Sequence, residues 1–181
     1  MKKNYINNER LYEEMKIYHV GYLKAKAEGV QVPRISNYIG ECIMLVAENL
    51  AKRPNFCNYS FKDEMISDAI ENCVKYIYNF NPNEYKNPFG YFTKIAWQAF
   101  VRRIQSEERQ LYIKIKNMEN SFIFDELYAE GAYSDGHQVA LTDLDYDKTN
   151  QFVQDYEERL TKKREASKMK LEQRNKEEPD D

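Results

Sequence analysis

The sequence predicts an all-α protein, a compact helical domain followed by a mixed, charged C-terminal extension. Three observations lead there. Apolar residues recur every three or four positions through four successive segments. The breaks between those segments hold Pro, Asn and Gly. No stretch alternates apolar and polar residues for long enough to build a sheet.

The first helix is expected over residues 8–28, "NERLYEEMKIYHVGYLKAKAE", where Leu11, Met15, Tyr18 and Tyr22 fall at helical spacing. Asn7 or Asn8 can supply the N-cap oxygen, and Gly29 suits the left-handed residue that closes a helix. "VQVPRIS" is a connector, because Pro33 lacks a backbone donor and disfavours helix in the residue before it. A second helix is expected from Ser36 or Asn37 to about Arg53. Ile39, Ile43, Val46, Ala47 and Leu50 line its buried face, and Pro54 stops it. "NFCNY" reads as a loop.

The third helix opens at Ser60 and runs to about Tyr78, with Asp63 and Glu64 placed favourably against the helix dipole. Its expected apolar stripe is Met65, Ile66, Ala69, Ile70, Cys73, Val74 and Ile77. "NFNPNEYKNP" is the sharpest break in the chain. A fourth helix follows, roughly Phe89 to Lys116. Beyond it comes a mixed stretch with an acidic, Gly- and Ser-containing loop near residues 131–136. The final segment has strong helix formers and interleaved charges, but only Met169 and Leu171 are large and apolar after Leu160. It reads as a solvated or frayed helix with a disordered acidic end. The expected organisation is an N-terminal helix (1–32), a central domain (33–116) and the extension (117–181).

Composition narrows the function. A formal charge of −3 argues against a protein that coats nucleic acid indiscriminately, but leaves room for a local basic patch. Cys42, Cys57 and Cys73 are odd in number and form no CxxC, which fits structural thiols in a reducing compartment. No apolar run is long enough for a membrane span and no signal peptide opens the chain, so a cytoplasmic protein is expected. His19 and His137 have no evident acid–base or metal partner. Phosphate-loop and hydrolase motifs are lacking, and "DLDYDKT" lacks the Gly and terminal Glu of a calcium loop. A non-catalytic protein without metal or cofactor is the expectation.

The most informative stretch is residues 85–104, "YKNPFGYFTKIAWQAFVRRI". On a helical wheel Phe89, Phe92, Ala96, Ala99 and Phe100 share one face, flanked by Ile95 and Ile104. Tyr91, Lys94, Gln98, Arg102 and Gln105 share the opposite face, with Trp97 and Val101 on the shoulder. The Phe/Ala face suits core packing. A solvated face would account for the other, but its members are of one kind: Tyr stacks on bases, Gln bonds base edges, Lys and Arg neutralise phosphate. From Lys86 to Lys116 seven basic residues stand against Glu107 and Glu108 alone. This favours a helix facing nucleic acid.

The third helix has the opposite character. Glu64, Asp68, Glu71 and Lys75 run along one face, with Asn72 beside them. Two accounts stay open: a docking face for a second partner, or a solvated face with a Glu71–Lys75 pair.

The order "MLVAENLAKR", "EMISDAIENCVKYIYNFNP", then "YFTKIAWQAFVRRI" resembles region two of bacterial sigma factors. "IGECIMLVAENLAKRPNF", "KDEMISDAIENCVKYIYNF" and "YKNPFGYFTKIAWQAFVRRI" are similar in order and spacing to the late-transcription sigma factors of T-even-type bacteriophages, over about residues 33–116. The resemblance implies a minimal sigma factor, acting in the infected bacterial cytoplasm. It would bind host core RNA polymerase and direct it to an AT-rich, minus-ten-like late promoter, TATAAATA in that family. Glu64, Asp68, Glu71 and Asn72 would dock on the β′ clamp helices. Tyr85, Lys86, Asn87, Phe89, Tyr91, Lys94, Trp97, Gln98, Arg102 and Arg103 would hold the opened non-template strand. A phage coactivator and a DNA sliding clamp are further implied partners.

The chain departs from those patterns in three places. The paired Trp of housekeeping sigma factors falls at Lys94–Ile95, leaving Trp97 or Tyr91 as the melting wedge. No region-four helix-turn-helix is recognisable. The final "RNKEEPDD" lacks the hydrophobic–acidic motif by which the phage family attaches to the sliding clamp. The alternatives are a polymerase-binding adaptor or anti-sigma protein that uses the acidic face, and a small RNA-binding module.

Overall fold

The computed structural model describes residues 5–120 and 146–177. It is all-α. The helices are α1 (Asn8–Glu28), α2 (Asn37–Ala51), α3 (Lys62–Tyr76), a short 3₁₀ turn (Ile77–Asn79), α4 (Pro88–Asn120) and α5 (Tyr146–Glu177). None of the described helices is long and apolar enough to cross a membrane. The acidic loop near 131–136, His137 and the last four residues lie outside the described residues.

Local chemistry sets the helix ends. Asn7 caps α1, its Oδ1 accepting from the backbone N–H of Glu9 and of Arg10 at 3.1 Å each. Gly29 closes α1 at φ 67°, a left-handed conformation a side chain would strain. Ser36 caps α2. Helix α3 starts two residues later than expected and has no side-chain cap, although Asp63 and Glu64 do occupy its first turn. Pro88 begins α4, where a missing N–H costs nothing.

The chain forms two compact units, Met1–Glu107 and Glu108–Asp181, with the division inside α4. In the first unit Leu11 and Met15 of α1, the Ile39/Ile43/Val46/Ala47/Leu50 face of α2, Met65, Ala69 and Cys73 of α3, and Phe92, Ala96, Ala99 and Phe100 of α4 form one core. One expectation needs correction: Val74 of the predicted α3 stripe is 42% exposed, since α4 covers only the side of α3 carrying Ala69 and Cys73. The "NFCNY" segment is a loop, as expected, and it also packs into the core, with Phe56 buried edge-on against Trp97 (4.7 Å) and Phe100 (5.0 Å). Each such pair contributes about 0.5–1.5 kcal/mol beyond its buried area.

In the second unit the last turns of α4 pair with α5. Tyr112 stacks on Tyr156 at 4.7 Å, and its hydroxyl donates to Glu157 Oε1. Lys116 pairs with Glu157 and Arg159 with Glu108, while Ile115 and Val153 are buried. From Thr161 to Gln173 every residue of α5 is exposed, as expected of a solvated helix.

Candidate nucleic-acid interface

The segment between α3 and α4 is an Asn-built turn. Asn81 Oδ1 accepts from the N–H of Asn83, its carbonyl from the N–H of Glu84 and Tyr85, and its Nδ2 donates to Glu84. Pro82 is buried, and its carbonyl accepts the Tyr12 hydroxyl at 2.8 Å, which ties the turn to α1. The start of α4 is capped from both sides. Asn87 Oδ1 accepts from Gly90 N–H at 3.0 Å, and Asn8 Oδ1 accepts from Phe89 N–H at 3.2 Å.

This turn and the exposed side of α4 enclose an open groove of about 760 Å³. Seven sequence-predicted DNA residues line it: Tyr85, Lys86, Asn87, Tyr91, Lys94, Gln98 and Arg102. Tyr76, Asn79, Glu84, Gly90 and Ile95 complete it. Sequence reasoning missed these five. Only the position of Asn79 and Glu84 within the Asn-rich break hinted at them. Three cations and one carboxylate, itself held by Asn81, leave the groove net positive.

Tyr85 is 53% exposed over the groove, its ring 6.4 Å from that of Phe80. It is the aromatic surface available for stacking. Tyr91 behaves differently from the wheel's expectation of an outward residue. Its hydroxyl donates to the Tyr76 carbonyl at 2.6 Å and its ring meets Phe80 at 5.3 Å, so it forms the floor. Burial, helped by the neighbouring Cys73, Tyr78 and Tyr85, pushes its pKa up to about 12 and keeps it neutral.

The other three predicted residues stand elsewhere. Phe89 is half-buried, packed on the core and edge-on to Tyr5. Trp97 lies against Phe56, outside the groove, because its shoulder position turns it toward the α2–α3 connection. Arg103 is clasped by α3. Its Nε and Nη2 bond the two Asp68 carboxylate oxygens at 2.6 and 2.8 Å, and its Nη1 reaches Glu107 at 3.3 Å. Those carboxylates hold the Arg103 pKa further above its already high value. Asn87, although it lines the groove, spends its side-chain oxygen on the cap.

The predicted docking face on α3 is redrawn by the same contacts. Asp68 and Asn72 turn toward α4. Asn72 Oδ1 accepts from Arg102 at 2.9 Å, while its Nδ2 donates to the Asp68 carbonyl. Glu64 and Glu71 remain exposed on one stripe with Ser67, Val74, Lys75 and Tyr78. Glu71 and Lys75 form no ion pair among the described residues.

All three thiols are free. Cys42 and Cys73 are buried, and burial pushes the Cys73 pKa up to about 12. Among the described residues no cluster of His, Cys, Asp or Glu could hold a metal ion.

Neither any protein-family model nor any curated protein matches this chain. Its function is therefore to be sought in the chemistry of the groove.

Proposed function

We propose that the chain is a minimal promoter-specificity factor of the sigma region-two type, which binds bacterial core RNA polymerase and holds one strand of an opened AT-rich promoter. The observation that carries this reading is the groove, where Tyr85, Lys86, Lys94, Gln98 and Arg102 converge on an aromatic floor. An unstacked base recovers about 1–3 kcal/mol on an aromatic ring, and adjacent cations neutralise its phosphates. AT-rich sequence with TA steps is the cheaper DNA to distort. The exposed Glu64 and Glu71, beside Val74, are the proposed polymerase-facing residues. Asp68 and Asn72 support α4 instead. That leaves a protein-only adaptor less acidic surface to work with.

Run-off transcription with purified bacterial core polymerase on a template bearing TATAAATA tests the reading. Added protein should give specific initiation. The Lys94→Ala/Arg102→Ala variant should still co-purify with polymerase but fail to open the template. The Glu64→Lys/Glu71→Lys variant should lose the polymerase. Unimpaired opening by the groove variant would refute the DNA assignment.

A further inference from the structure

The charge along α5 reverses partway. Residues 146–160 hold Asp147, Asp155, Glu157 and Glu158 against Lys148 and Arg159. Residues 161–177 hold Lys162, Lys163, Arg164, Lys168, Lys170, Arg174 and Lys176 against Glu165, Glu172 and Glu177. Part of this charge lies on one face, whereas Lys162, Lys168 and Lys176 lie elsewhere around the helix. At 100° per residue, the face that buries Val153 and half-buries Tyr156 and Leu160 continues as Lys163, Arg164, Ser167, Lys170 and Leu171. Glu165 and Glu172 fall on the far side.

Lys162 is paired with Glu158 at 2.6 Å, whereas Lys163, Arg164 and Lys170 form no ion pair among the described residues. A seam that changes from apolar to cationic loses what holds it on another helix and gains what neutralises a polyanion. Two turns separate Lys163 from Lys170, about 10 Å. That covers about three phosphates of one strand at ~3.4 Å each. A lipid surface fits poorly, because beyond Leu160 the only large apolar side chain on this face among the described residues is Leu171, and interfacial helices need an apolar stripe. A protein groove would require apolar anchors that are likewise missing.

We infer that the Lys163/Arg164/Ser167/Lys170 face of α5 is a second nucleic-acid contact, which grips the phosphate backbone of duplex DNA without reading its sequence. It shares no residue with the groove and stands independently of the strand-opening reading.

The test is fluorescence anisotropy of the full chain with a random-sequence duplex of about 30 base pairs, titrated with salt. The variant is Lys163→Gln/Arg164→Gln/Lys170→Gln. Gln keeps helix propensity, and circular dichroism verifies the fold. Each phosphate contact contributes about 0.9 to the slope of log K against log salt. The variant should therefore lower the slope by about 2 to 3 and weaken low-salt binding tenfold or more. Three results overturn the inference: no duplex binding at low salt, a variant slope equal to wild type, or loss of binding to phosphatidylserine vesicles alone. Failure of promoter opening with the slope change intact would refute the groove reading and leave this one standing.

Discussion

The clasp between Arg103 and Asp68 decides whether Arg103 belongs to the fold or to the DNA surface, and its energy can be measured. Both side chains are 28% exposed, and two charge-assisted hydrogen bonds of 2.6 and 2.8 Å join them. Opposite unit charges about 4 Å apart attract by about 1 kcal/mol in water and about 4 kcal/mol at an effective dielectric near 20. Desolvation and side-chain ordering subtract from this. The bidentate geometry keeps a net coupling of about 1–2 kcal/mol, above the usual exposed pair. Asp68→Ala alone should cost about 1 kcal/mol, because Glu107 at 3.3 Å still partners Arg103. Arg103→Ala should cost about 2 kcal/mol, since its stem packing is lost as well. Urea unfolding of both single variants and the double variant, followed by circular dichroism, closes the cycle. In parallel, Arg103→Gln should bind single-stranded DNA within about twofold of wild type, while Arg102→Gln weakens it about tenfold, the usual size for one charge-assisted contact. A coupling near zero, or equal DNA losses for the two arginines, would refute the assignment of Arg103 to the fold.

Tyr85→Ala should weaken single-strand binding by about 1–3 kcal/mol with little change in unfolding midpoint, whereas Tyr85→Phe should retain binding. Anisotropy with an AT-rich oligonucleotide checks this. Asn87→Ala should cost about 1 kcal/mol of stability through loss of the α4 cap, read by the same urea titration. Phe100→Ala, in the centre of the core, should cost about 3–5 kcal/mol and broaden or abolish the cooperative transition. Alkaline pH should destabilise the protein. Cys73 and Tyr91 keep their protons to about pH 12 when folded, but ionise from about pH 9 and 10 when unfolded. Their contribution is complete below pH 9 and is lost as pH rises toward 12, Cys73 alone accounting for about 3 kcal/mol by pH 11. Cys73→Ala should flatten that decline in thermal melts run across the range.

The helices and most of the core were legible because they depend on neighbours three or four residues away. Asn7, Gly29 and the α2 face all act within one or two turns, and α1 spans the residues its periodicity predicts. The groove was half legible, since Lys94, Gln98 and Arg102 line up on a single helix. Its remaining wall was not. Tyr76 and Asn79 meet α4 only when the Asn81 turn folds back.

What the sequence by itself determined is the all-α architecture, the Phe/Ala packing face of α4 and the line of polar and basic residues opposite it. Helical periodicity and capping are local properties, so they survive being read one residue at a time. The tertiary structure alone decided which of those charges are spoken for. Asp68 and Arg103 lie 35 residues apart, and Asn8 caps Phe89 from 81 residues away. On the helical wheel Arg103 falls within the Phe/Ala packing face, but a wheel drawn for one helix names no partner for it. The packing of α3 on α4 supplies the carboxylate that takes it, leaving Lys94 and Arg102 at the groove.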